Sequence, residues 1–233
     1  MLRPKRRFDR QFKRNPLYLD DSHPAVSEGR TIFRTRVFHR QERVLKSGEH
    51  QRKIGSHVTK GRWAGMPIYT LTLEERATCP QTCQAWNFCY GNHMHHAPRQ
   101  QAGEWLENKL CDELTTLNQQ YPSGFVVRLH VLGDFYSPEY VMLWAAFMRQ
   151  FPALHVFGYT ARDPQSAIGL LIDAIRQVEG DRWWMRWSHR DKETWLATGD
   201  RGIVCPVQTG KTDCCGTCAL CWTMKKPIRF LIH

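Results

Sequence analysis

The sequence predicts an α/β fold: a parallel sheet shaped as a partial or full (β/α) barrel, with a basic N-terminal arm and a C-terminal cysteine-rich segment. Three observations carry this. Short runs rich in β-branched and aromatic residues recur after residue 66, stretches with helical apolar spacing separate them, and Gly-Asp or Asp-Pro signals punctuate the junctions. Strand-helix alternation of this kind forces parallel pairing through right-handed crossovers.

The elements follow in order. Residues 67–73, Pro-Ile-Tyr-Thr-Leu-Thr-Leu, read as the first strand and lead directly into the first cysteines. Residues 103–120 read as a helix, with Trp105, Leu106, Leu110, Leu114 and Leu117 at three- and four-residue steps. A second strand covers 125–131 and runs into Gly133-Asp134. Ser137-Pro138 supplies an N-cap and a first-turn proline for a helix reaching Gln150. The third strand is 154–159, Asp163-Pro164 repeats the cap-and-proline signal, and residues 167–178 form the next helix. Residues 183–187, Trp-Trp-Met-Arg-Trp, close the series.

Composition sets the surroundings. The chain of 233 residues is long enough to bury a core without disulfide scaffolding, so its nine cysteines call for another role. It contains no apolar run of about eighteen residues and no signal peptide, which points to a reducing cytosolic location where thiols stay available to metals. The net charge of +11 is concentrated at one end: residues 1–62 hold 17 Lys+Arg against 6 Asp+Glu. The arm over residues 3–14, with Phe8 and Phe12 interleaved, has the character of a nucleic-acid contact or of a solvated tail. The expected organisation is a basic arm over 1–62, an α/β core over 63–200 and a cysteine-rich segment over 201–233 packed on the core.

Five cysteines fall between residues 205 and 221. Cys215, Cys218 and Cys221 are each separated by two residues, and Cys205-Pro206 stands at a distance. That spacing suits a [4Fe-4S] cluster, in which a tight loop supplies three corners and a remote cysteine the fourth. Gly216 and Ala219 are small enough to let the backbone donate to the sulfides. A four-thiolate zinc site is the alternative, although three evenly spaced thiols crowd a single tetrahedral ion. Cys214 is read as a neighbour that replaces Cys215 only if the loop registers differently.

A second group, Cys79, Cys83 and Cys89, follows the first strand with three and then five intervening residues. Three ligands leave one iron open, which suits a second, catalytic cluster shielded by Phe88 and Tyr90. Ordinary loop thiols, or zinc shared with His93, His95 or His96, are the alternatives. Gly133 and Asp134 are the candidate cofactor-binding residues and Asp134 and His130 the candidate catalytic ones, because loops at the carboxyl edge of a parallel sheet gather ligands. Capping of the turn at Ser137 is the simpler role for Asp134. Arg128, Tyr159, Arg162 and Arg186 belong to the same strand ends, and Cys111 reads as a small helical core residue.

Several of these motifs resemble the phage protein family called gene product 88. The likeness runs from Lys53 to Trp222, through Leu71-Thr72-Leu73-Glu74-Glu75-Arg76, Thr78-Cys79-Pro80, Cys89-Tyr90-Gly91, Arg128-Leu129-His130 with Gly133-Asp134-Phe135, and Cys215-Gly216-Thr217-Cys218-Ala219-Leu220-Cys221-Trp222. It implies a viral iron-sulfur protein. The chain is also distantly similar to the radical S-adenosylmethionine enzymes, with Cys79, Cys83, Phe88 and Cys89 in their three-cysteine loop and Gly133-Asp134 where their Gly-Gly-Glu stands. It departs from them in the five residues between Cys83 and Cys89, where they have two, and in the shortened acidic motif. That similarity implies S-adenosylmethionine on an open iron, the C-terminal cluster as an electron relay, and an external electron donor and small-molecule substrate. The rival class is a nucleic-acid-binding module whose cluster or zinc only stabilises the fold.

Overall fold

The computed structural model describes residues 16–188 and 202–230, so the basic stretch 3–14 lies outside the described residues. In chain order the elements are α1 (Pro24–Ser27), β1 (Val37–Phe38), β2 (Lys46–Ser47), β3 (Ile68–Thr70), β4 (Arg99–Gln100), α2 (Glu104–Gln120), β5 (Phe125–Leu129), α3 (Pro138–Gln150), β6 (Leu154–Thr160), α4 (Ala167–Glu179), β7 (Trp183–Trp187), β8 (Ile203–Val204), α5 (Cys215–Cys218), α6 (Leu220–Thr223) and β9 (Ile228–Arg229).

The central sheet has the order β2-β3-β5-β6-β7, with β3, β5, β6 and β7 parallel and β2 antiparallel on the β3 edge. It is therefore a mixed α/β fold with a mostly parallel, open sheet. Among the described residues a closed barrel, the fuller form of the expected architecture, is not formed: their parallel series has half the eight strands of a full barrel, and β2 occupies the β3 edge.

Sequential parallel strands joined by right-handed crossovers place every connecting helix on one face. Alternation along the strands follows that division. Phe125, Val127 and Leu129 of β5, Leu154 and Val156 of β6, and Trp183 and Met185 of β7 pack with Leu106, Leu110, Leu114, Trp144, Phe147, Ile172 and Ile175 of the three long helices. The opposite residues, Ile68, Val126 and Phe157, are covered by Ile54, Val58 and Trp63 from before the first parallel strand and by Ala219 and Trp222 from the C-terminal segment. Trp63 and Trp222 stack there with ring centroids 5.4 Å apart.

Capping follows the sequence with one shift. Ser137 Oγ accepts from Tyr140 N at 3.2 Å and opens α3, with Pro138 in its first turn. For α4 the cap is Ser166, which accepts from Gly169 N at 3.1 Å; Asp163 forms a preceding turn by accepting from Gln165 N at 2.8 Å. Ahead of β2, Val44 and Leu45 are tied to α2, because Glu113 accepts from their amides at 2.7 and 2.9 Å. Among the described residues, no helix is long and apolar enough to cross a membrane.

Candidate metal centre

Beyond β3 the chain keeps pairing irregularly, with Leu71 N donating to Arg128 O and Leu73 N to Leu132 O. It then enters Glu74-Glu75-Arg76, where three buried charged side chains shape the loop that carries Cys79, Cys83 and Cys89. Glu74 pairs with Arg30 at 2.6 Å. Glu75 accepts two bonds from Arg99, at 2.6 and 2.9 Å, and a third from Thr31 Oγ1 at 2.7 Å. Arg76, whose φ is +63°, donates to Trp86 O at 2.9 Å and to Asn92 Oδ1 at 2.8 Å. Arg76 and Arg99 thus hold carbonyls on both sides of Cys89, and of the two ion pairs Glu75–Arg99 is shut off from water, whereas Arg30 of the other is partly exposed.

The three thiols of this loop are close enough to interact electrostatically. Burial pushes the Cys79 thiol well up, and the Asp134 carboxylate adds to the effect. Burial also lifts Cys89 to about 12, with Glu75 reinforcing it while an amide bond from Gly91 and the charge of Arg76 oppose it. The neighbouring histidines serve elsewhere: His93 Nε2 accepts from Leu17 N at 3.1 Å, and the His95 ring lies 4.9 Å from that of Phe33.

Gly133 and Asp134 seat this loop on the sheet. Gly133 has φ +81°, and a Cβ there would meet Leu73 Cβ at 2.6 Å and Thr78 Oγ1 at 2.5 Å, so the close approach it permits is to the cysteine loop itself. Asp134 Oδ1 accepts from Phe135 N at 2.8 Å and Thr160 Oγ1 at 2.7 Å, and Oδ2 accepts from Ala161 N at 2.7 Å. Its own amide donates to Thr78 Oγ1 at 3.2 Å, and Arg162 donates to Thr78 O at 2.7 Å. These contacts clamp the residue preceding Cys79 between the ends of β5 and β6. His130 lies on the other side. Its strand ends at Leu129, so alternation no longer governs it, and the ring enters the helix-facing core against Phe135 and Tyr140, with Nε2 3.2 Å from Tyr140 Oη. Burial, reinforced by the charges of Arg128 and Arg162, depresses its pKa to about 3.

The C-terminal cysteines lie on the face opposite the helices. Cys215 N donates to Lys53 O at 2.8 Å and Gly216 N to Ile54 O at 2.9 Å, and a Cβ on Gly216 would fall 2.1 Å from His57 O. Gly216 is therefore small because it packs on backbone, and its amide is engaged by a carbonyl. Ala219, at φ +60°, turns α5 into α6. Cys205 follows β8 and is held by its amide on Arg229 O at 2.8 Å.

Cys205 is near enough to act on each of Cys215, Cys218 and Cys221. Burial raises all three thiols, whereas nearby cations lower them: Lys53 and Arg128 at Cys215, Lys60 at Cys218, and Arg128 and Arg186 at Cys221. A Leu220 amide also faces Cys218. Cys214 also acts on Cys218, but its Sγ is packed where a Gly55 Cβ would come within 2.5 Å, and it lies 3.6 Å from Thr217 Oγ1.

Three strand residues organise this segment. Arg186 donates from Nε to Cys221 O at 2.8 Å, from Nη1 to Lys226 O at 3.0 Å, and to the carbonyls of Leu220 and Met224. Tyr159 Oη lies 3.2 Å from Cys221 Sγ. Arg128 stacks over the Phe157 and Tyr159 rings, 5.4 Å from each centroid, and it also acts on Tyr90 beside Cys79 and Cys89, so it stands between the two cysteine groups. Among the described residues, no three His, Cys, Asp or Glu side chains converge tightly enough to hold a single metal ion. Cys111 packs partly buried against the main core from α2.

These features define an α/β protein with one cysteine loop at the carboxyl edge of a parallel sheet and a second cysteine group across its helix-free face. The chain belongs to the gene product 88 family, whose model matches residues 41–171. The matched span contains Cys79, Cys83, Cys89, Gly133 and Asp134 but ends before the C-terminal cysteines, short of the Trp222 limit that the motifs suggested. No curated protein and no solved structure matches the chain.

Sequence reading missed the positioning roles of Glu74, Glu75 and Arg99. The available signal was the run Glu74-Glu75-Arg76 placed directly after an apolar strand pattern, where charge is costly unless it is paired.

Proposed function

We propose that this protein is an iron-sulfur redox protein that holds a [4Fe-4S] cluster on Cys205, Cys215, Cys218 and Cys221. One observation carries the reading: Cys205, remote in sequence, is buried in one cluster with Cys218, and Cys215 packs against that cluster; the charged side chains that act on the thiols include Lys53, Lys60, Arg128 and Arg186. The donor set fits the group. Four soft sulfur ligands suit iron and sulfide, a cluster with four thiolates is anionic, and cations around it offset the cost of burying that charge. When bound, the cluster supplies one-electron chemistry, and the chain's own residues position the thiols, exclude water with Trp222 and Phe157, and set the local field.

Cys79, Cys83 and Cys89 form the second half of the proposal. As three ligands of an open cluster they leave one iron for S-adenosylmethionine or a substrate, the arrangement implied by the likeness to radical enzymes. Their setting is less favourable to anions than that of the C-terminal set, since Glu75 and Asp134 both disfavour thiolates there. The C-terminal centre is accordingly the main one.

The test is an iron and sulfide count on the full chain purified without oxygen. The wild type is expected to carry both, Cys218→Ser/Cys221→Ser to lose the main cluster, and Cys79→Ser/Cys83→Ser/Cys89→Ser to lose only a second complement. Iron-free wild type, or zinc in its place, overturns the redox reading. Unchanged iron in the triple variant removes the first group from the metal ligands.

A further inference from the structure

We infer that Tyr159 is a tuning residue of the C-terminal centre, donating a hydrogen bond to Cys221 Sγ and thereby making the centre easier to reduce; this rests on reading Cys221 as a cluster ligand. The geometry starts in the strand. Alternation along β6 sends His155, Phe157 and Tyr159 to the helix-free face, while Val156 joins the helix-facing core. On that face Phe157 meets the Trp222 ring at 4.5 Å, which brings α6 down onto β6 and sets Cys221 beside Tyr159. The phenol oxygen then stands 3.2 Å from the sulfur.

The direction of this bond is set by chemistry. A ligating cysteine has lost its proton and can only accept, so the tyrosine must donate. The ring is held for that purpose: Arg128 stacks on it with its guanidinium carbon 5.4 Å from the centroid, and the Phe230 ring meets it edge-on at 5.0 Å and 84°. Arg128 and Arg186, the charged side chains that act on both Tyr159 and Cys221, are cations and compete for no proton.

The consequence is electrostatic. Reduction adds one electron, supplied by an external one-electron donor, to a centre that is already anionic. A hydrogen bond that withdraws charge from a ligand sulfur stabilises the reduced state more than the oxidised one, and cluster potentials follow such bonds and the local net charge. Tyr159, Arg128 and Arg186 all act in the same direction, toward a higher reduction potential.

The experiment is a dye-mediated potentiometric titration, under argon at pH 7, of full-length wild type, Tyr159→Phe, and protein carrying 3-fluorotyrosine at position 159, each assayed first for iron and sulfide. Equal iron in all three, a more negative midpoint for Y159F and a more positive one for the fluorotyrosine protein, whose phenol is the stronger donor, support the inference. An unchanged or reversed midpoint at equal iron overturns it. Should Y159F lose its iron, the isosteric fluorotyrosine protein decides, and an unmoved midpoint there overturns the tuning role. Iron-free wild type is the separate failure of the underlying reading, visible before any potential is measured.

Discussion

Arg99 commits all five of its guanidinium protons inside the protein, two of them to the carboxylate of Glu75 at 2.6 and 2.9 Å and the others to the carbonyls of Gly91, Met94 and Ala97. Both members of the pair are essentially inaccessible to water. Removing one partner of such a pair strands a buried charge, which costs about 3–5 kcal/mol. Arg99→Ala is expected to lower unfolding stability by that order in urea titration. Arg99→Lys recovers little, since an ammonium has three donors and no fork. A loss below about 1 kcal/mol in Arg99→Ala would mean the ion pair does not hold the cysteine loop.

Gly133 faces two penalties when substituted, a left-handed backbone and a collision with Leu73 and Thr78. Gly65 faces only the first, having φ +88° and nothing within 4 Å of where a Cβ would stand. Gly133→Ala is expected to destabilise by about 2–4 kcal/mol and Gly65→Ala by about 1 kcal/mol, from backbone strain with and without overpacking. Equal losses in denaturant titration would refute the docking role of Gly133.

His130 makes stability depend on acid. Burial sets its folded pKa at about 3, below the ordinary value of 6.5, so the unfolded chain binds the proton more tightly. Its contribution is fully present above pH 6.5 and is lost as pH falls toward about 3, at about 1.4 kcal/mol per pH unit. Stability measured at pH 7, 6 and 5 should fall more steeply in the wild type than in His130→Phe. Parallel curves would show that His130 is not neutral in the folded protein.

Cys214 and Cys215 separate by side-chain direction, since the former packs on Gly55 while the latter interacts with Cys205 and Cys221. Cys214→Ala is expected to keep the wild-type iron content and Cys215→Ala to lose most of it. The opposite pattern in a colorimetric iron assay would move the ligand by one position.

Much of the fold is legible in apolar spacing. Four strands, three long helices and the Ser137 cap stand where the pattern puts them, because a residue's face on a strand or helix follows from its position alone. The first strand shortens to Ile68–Thr70 because 71–73 pair too irregularly to continue it. The two-residue cysteine spacing is equally local. What the sequence determines by itself is thus the alternation of elements and the presence of two cysteine groups. Tertiary structure alone decides that the sheet stays open, that His130 leaves the strand for the core, that Asp134 and Gly133 hold the cysteine loop, and that Arg128, Tyr159 and Arg186 meet the C-terminal thiols. These relations join residues far apart in the chain, Arg162 and Thr78 for example by 84 positions, and chain order carries no information about which distant groups will share one buried neighbourhood until packing brings them together.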